Sequence, residues 1–418
     1  MVMWSSVFDG VTMPLRPCIL GFFAFVAVLF LWGTSLRAQT PTDFATWKEA
    51  KNAENVHAWA GTMLRGFRDL TGVAREELLD KNLLSLKDII ADSNVVPSTR
   101  YNAILAAGQL VSTEASPGTM PIAYPAALVY LVDVYQETDC PPYVKYGALL
   151  GIVRHALCGI DPSQQERVID LLLETVGTEP DVNTISSAVG SWFRLTSLEG
   201  LAALKTTGAE GKVVTGLLAL IHRKAQELDM LRRNQNVFNR QDWEQARRAV
   251  ELASQAAKTL GDLDYRSATC VNVTEMTGTF AALTQAVCEL GNKLAADTID
   301  QKEASPDSAL LLEQIVVDTK TCIQSVVWGI RGWFLTGNPG EHSLYASLSS
   351  DDPTKKQLDI LLAEIVELAT FLDEGDRTKR QSPATNAPKA FRFVILELRD
   401  AMAKSSEALA QIRGGNDE

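Results

Sequence analysis

Two seven-residue blocks set 45 residues apart put the tightest bound on how this chain can fold. Arg100–Ala106 reads RYNAILA and Lys145–Gly151 reads KYGALLG. A basic residue and a tyrosine open each block, and small and aliphatic residues follow. A second helix-like stretch precedes each, Leu83–Ile90 before the first and Ala126–Tyr135 before the second. A helical pair recurring at this interval cannot bury its apolar face alone and must stack on its neighbour. The Ala and Gly positions let paired helices approach closely, and Ile and Leu fill the seam between units.

Val144-Lys145 followed by Ala148 resembles the valine–basic–x–x–alanine start of the second helix in a HEAT repeat. The 45-residue offset lies within the range of HEAT and armadillo units. A looser third unit runs from Pro162 to about Leu204, its second helix near Val182–Leu204. The resemblance covers roughly residues 80–205. It implies a HEAT-like α-solenoid over residues 43–205 and, since such solenoids present extended surfaces, a protein partner.

Helical periodicity continues to the C-terminus without the repeat. Runs of alternating β-branched residues, the mark of half-buried strands, are nearly absent. Asp161-Pro162, Ser305-Pro306 and Asp352-Pro353 each place a capping residue and a first-turn proline before an apolar-periodic segment. Lys212–Leu260 reads as one or two long amphipathic helices. Further helices are expected at about 275–302, 307–335, 354–374 and Lys389–Arg413. Thr and Val crowd together in Ala268–Thr279, which reads as a helix start or an irregular link. The polar, proline-bearing stretch Gly375–Pro388 is expected to be a flexible loop. The fold class is therefore all-α: an N-terminal HEAT-like α-solenoid followed, over 206–418, by a bundle of longer helices.

The N-terminus carries an address. Arg16 precedes the apolar run Cys18–Trp32, and small and polar residues lead on to Ala38 and Gln39. That is the layout of a signal peptide, with residues 1–38 removed by cleavage after Ala38, although Leu36 is not the preferred small residue at that site. Met13 is a second possible start. Fifteen apolar residues make a helix of about 22 Å, short against a hydrocarbon core of about 30 Å, so an uncleaved anchor is the alternative. The expected location is periplasmic or extracellular. With a formal charge of −12 the chain as a whole is expected to be repelled by nucleic acid and by anionic membrane surfaces, although a local basic face could still exist. Only residues 18–32, if retained, would engage a membrane. Cleavage would leave five cysteines, Cys140, Cys158, Cys270, Cys288 and Cys322. Cys270 with Cys288, or Cys140 with Cys158, are candidate pairs in an oxidising compartment, and small buried hydrophobes are the other reading.

Sites are sparse. The four histidines, His57, His155, His222 and His342, are far apart in sequence and in no metalloprotease frame, and no GxSxG nucleophile elbow is present. His155 reads as a half-buried helix residue. Gly208–Lys212 (GAEGK) has the wrong spacing for a phosphate loop and reads as a turn before a helix. No catalytic residue, cofactor site or metal site is nominated. His222–Arg248 carries Arg223, Lys224, Arg232, Arg233, Arg240, Arg247 and Arg248, a basic face for an anionic partner or else a solvated surface paired with Glu227, Asp229, Asp242 and Glu244. Trp328 and Trp333 could line a ligand groove, meet a membrane interface or cap a bundle. Asn272-Val273-Thr274 is a glycosylation sequon. The function expected from these features is an exported binding or scaffold protein. An all-α envelope enzyme with its pocket in the C-terminal half and a membrane-anchored structural subunit are the alternatives.

Overall fold

The computed structural model describes residues 60–61, 63–67, 70–179, 187–234, 240–266, 271–300, 306–332, 340–381, 399–400 and 403–412. The signal or anchor segment 1–38, Cys270, Trp333 and the first part of the expected helix Lys389–Arg413 lie outside them. Among the described residues the fold is all-α apart from one small hairpin. Contacts divide the chain into two compact units, Met1–Gln165 and Glu166–Glu418.

The first unit contains helices α1 (Gly72–Ala91), α2 (Pro97–Ala107), α3 (Pro125–Gln136) and α4 (Pro142–Cys158). Three of these begin on a proline, whose missing N–H costs nothing in a first turn. The helices pair α1 with α2 and α3 with α4, and α2 also packs on α4. The two seven-residue blocks recognised in the sequence thus lie on helices that touch. Glycines set the approach: a Cβ on Gly108 would come within 2.5 Å of the Gly151 Cα, and one on Gly147 would strike Ile104. Tyr101, Ile104 and Leu131 occupy the space those missing side chains leave.

Strands β1 (Val111–Thr113) and β2 (Ile122–Ala123) pair antiparallel between α2 and α3. Their link turns at Ser116–Thr119, where the Thr119 N–H donates to the Ser116 carbonyl at 2.8 Å. Pro117 and Gly118 hold its two central positions, and Gly118 has φ +81, the arrangement of a type II turn. No strand was expected here; segments of three and two residues are too short to show an alternating pattern.

The second unit holds α5 (Pro162–Gly177) from Glu166 onward, α6 (Ser187–Leu204), α7 (Lys212–Asn234), α8 (Arg240–Asp262), α9 (Val273–Asp300), α10 (Pro306–Arg331), the one-turn α11 (Leu344–Ser347) and α12 (Pro353–Gln381). Residues 403–412 are also helical. Helices α7, α8, α10 and α9 close a four-membered ring, each packed on two neighbours. Helix α6 flanks α8, and α12 lies against α9 and α10. Helix α8 carries a series of small buried residues. Ala246, Ala249, Ala253, Ala256 and Ala257 are all buried, and a Cβ on Gly261 would meet the Trp328 carbonyl. On α10, a Cβ added to Gly329 would lie 2.6 Å from the Ala257 carbonyl oxygen and 2.8 Å from the Phe280 ring.

Two local expectations need correction. The backbone is helical through Gln381, so residues 375–381 of the expected loop continue α12, and 382–388 lie outside the described residues. Polar composition does not end a helix whose preceding turns are already nucleated, and Gly375 alone costs only about 1 kcal/mol. Cys140 and Cys158 are both free and flank α4, one ahead of its first turn and the other at its last residue. A helix of that length separates them by about 25 Å, far beyond disulfide reach.

Candidate functional site

A concentrated polar constellation lies in the second unit, around the exit of α5 and the facing sides of α6, α7 and α8. Arg194 stands on α6 and Lys224 on α7. Their side chains are only 8% and 7% exposed, which is unusual for cations and demands partners. The Arg194 Nε donates to the Val176 carbonyl at 3.1 Å, fixing the plane of the guanidinium. Its two terminal nitrogens then donate in parallel to Glu179, at 3.1 and 3.0 Å. This is the fork geometry that suits a carboxylate.

Lys224 donates to the same Glu179 at 3.0 Å and to Glu227 at 2.7 Å. Gln245 of α8 holds the other Glu227 oxygen at 3.0 Å. Burial pushes the Glu179 carboxyl up, but the hydrogen bonds and charges of Lys224 and Arg194 together outweigh it and hold the group below the usual carboxylate range. Glu179 is thus ionised at neutral pH. Beside these groups opens a cleft of about 190 Å³, lined also by Ser191, Arg248 and Glu251.

The cleft absorbs part of the basic stretch read from the sequence. Lys224 is paired as above, and Arg232 bonds Asp229 at 2.8 Å and Glu289 at 3.0 Å. Arg233 bonds Asp229 at 2.8 Å, while Arg247 lies 3.7 Å from Asp318. The expected partners Glu227 and Asp229 pair with Lys224, Arg232 and Arg233. Glu179, Glu289 and Asp318 add partners from other elements, for Lys224, Arg232 and Arg247, which local spacing could not indicate.

Other singled-out residues disperse. Lys212, in the faint phosphate-loop pattern, bonds Glu166 and Asp170, with Asp170 at 2.7 Å, and the preceding Ala209–Gly211 is a single 3₁₀ turn. His222 is exposed and contacts Gln226 at 2.8 Å, and His342 lies 4.0 Å from Asp264. His57 lies outside the described residues. Expected to be half-buried, His155 is in fact fully buried, with no hydrogen-bond partner on either ring nitrogen. Trp328 donates to Asp262 at 2.8 Å and carries Lys258 over its ring at 5.4 Å, so it closes the end of α8 rather than lining a groove. Cys288 and Cys322 are buried on α9 and α10, where burial raises both thiols, Cys322 to about 12. They are packing groups in this state.

Asn272 is exposed and caps α9, its side-chain oxygen accepting the Glu275 N–H at 3.1 Å. Among the described residues no group of three or more His, Cys, Asp and Glu side chains is placed to hold a metal ion, and no helix is long and apolar enough to cross a membrane. Comparison with protein-family models, with curated proteins and with solved structures gives no match to this chain.

Proposed function

We propose that this chain is an exported scaffold protein that binds a protein partner through a HEAT-like helical solenoid in its N-terminal half. One observation carries the reading. The helices bearing the 45-residue repeat, α2 and α4, pack on each other through Gly108, Gly147 and Gly151, and each is paired with the helix before it. Stacked helical pairs are the building principle of solenoids, whose faces serve as extended binding surfaces. Export rests on the Arg16-to-Gln39 layout, and the acidic balance favours a protein over a nucleic-acid partner.

The test uses the chain beginning at Gln39, cross-linked in envelope extract and recovered by affinity capture. A stoichiometric protein partner whose hydrogen-exchange footprint falls on α1–α4 is the expected result. Recovery of the bait alone under both gentle and cross-linked conditions would overturn the proposal. N-terminal sequencing of the cellular protein separates a secreted scaffold, starting at Gln39, from an anchored one that retains residues 18–32.

A further inference from the structure

The Glu179 contacts have an asymmetry that a purely structural ion pair does not need. Both cations sit on helices and are almost sealed from water, whereas the Glu179 side chain is 59% exposed. Glu179 lies two residues beyond the last residue of α5 instead of standing on a helical turn. The guanidinium is oriented by the Val176 carbonyl, not by the carboxylate it holds, so the fork keeps its direction if the carboxylate leaves. Glu227 cannot take over the fork cheaply, because Lys224 and Gln245 hold its two oxygens.

Charge balance points the same way. The cleft is lined by three cations, Arg194, Lys224 and Arg248, and three carboxylates, Glu179, Glu227 and Glu251. With Glu179 turned out, one positive charge is left in excess beside a volume of about 190 Å³. Cavities of about 150 Å³ admit a ligand of six carbon atoms, so a small organic acid fits.

We infer that Arg194 and Lys224 form a carboxylate seat, filled by Glu179 in the free chain and open to the carboxylate of a small organic acid when Glu179 is displaced. The proposal stands apart from the scaffold reading, since it concerns the second unit alone. It makes Glu179 an internal competitor whose removal improves binding.

The experiment titrates acetate and succinate into the wild-type chain and into Glu179→Ala, against chloride at equal ionic strength, by calorimetry and thermal unfolding. Glu179→Ala is expected to bind acetate or succinate about tenfold or more tightly than wild type, the worth of one charge-assisted contact in a buried site. Its thermal midpoint should recover on adding either acid but not chloride, and adding Arg194→Gln should abolish the recovery. A folded Glu179→Ala indifferent to both acids overturns the proposal. If that variant does not fold even with carboxylate present, wild type decides: a saturable succinate-dependent shift of the Arg194 Nε–H resonance supports the seat, and a flat titration overturns it.

Discussion

Single buried polar groups are where this molecule is most sensitive to its conditions. His155 lies in the last turn of α4 with neither ring nitrogen bonded. Burial, with a smaller contribution from Arg154, lowers its pKa from 6.5 to about 4. Above pH 6.5 both folded and unfolded chains hold the ring neutral, so it contributes no pH dependence there. Between pH 6.5 and 4 the unfolded chain takes up a proton that the folded chain refuses. Stability is therefore lost as pH falls through that window, by up to about 3 kcal/mol, and levels off below it. His155→Leu should flatten this part of the profile, as denaturant titrations at pH 7.5 and pH 4.5 would reveal.

Arg75 is the counterpart in the same unit. It donates to the Phe67 carbonyl at 2.6 Å, the Val111 carbonyl at 2.8 Å and Glu114 at 2.8 Å, joining the chain before α1 to β1. Arg75→Met leaves those buried carbonyls without a donor and should cost about 2–4 kcal/mol in chemical denaturation.

At the scale of elements, close approach governs. The α8–α10 contact depends on Gly261 lying against the Trp328 backbone, which cannot yield as a flexible side-chain tip could. Gly261→Ala, favourable for an isolated helix, should instead lower stability by about 1–3 kcal/mol through overpacking. Replacing Gly147 by valine should act likewise on α2 and α4, because Ile104 and Tyr101 fill its space. Capping works in the opposite register. Asn272→Ala, which removes the acceptor for the Glu275 N–H, should cost about 1 kcal/mol without altering packing, a thermal-unfolding measurement. The starts at Pro162, Pro306 and Pro353 were legible because a capping residue and a first-turn proline act within one turn, whereas Asn272 reads in the sequence only as a glycosylation sequon. The β1–β2 hairpin was not legible, since its strands are too short to establish a period.

Across the whole molecule, protection should follow the number of packed faces. Helices α7–α10 each meet two ring neighbours, and α2 is covered by α1 and α4. Amides in the middle of these helices should exchange most slowly with deuterium, ahead of α5 and the last turns of α12. Uniform protection along α12 would contradict that ordering.

The sequence by itself determined the helical class, most helix starts and the 45-residue spacing, because periodicity and capping are local and repeat at fixed intervals. It also supplied Glu227 and Asp229 as partners of the basic stretch, since residues three and four apart share a helix face. Only the tertiary structure decided that α7, α8, α10 and α9 close a ring, that α4 holds Cys140 and Cys158 apart, and that His155 is sealed from water. It alone brought Glu179 onto Arg194 and Lys224, residues 15 and 45 positions along the chain. Such contacts arise from the way apolar faces pack and small residues admit close approach, and no short window of sequence encodes that.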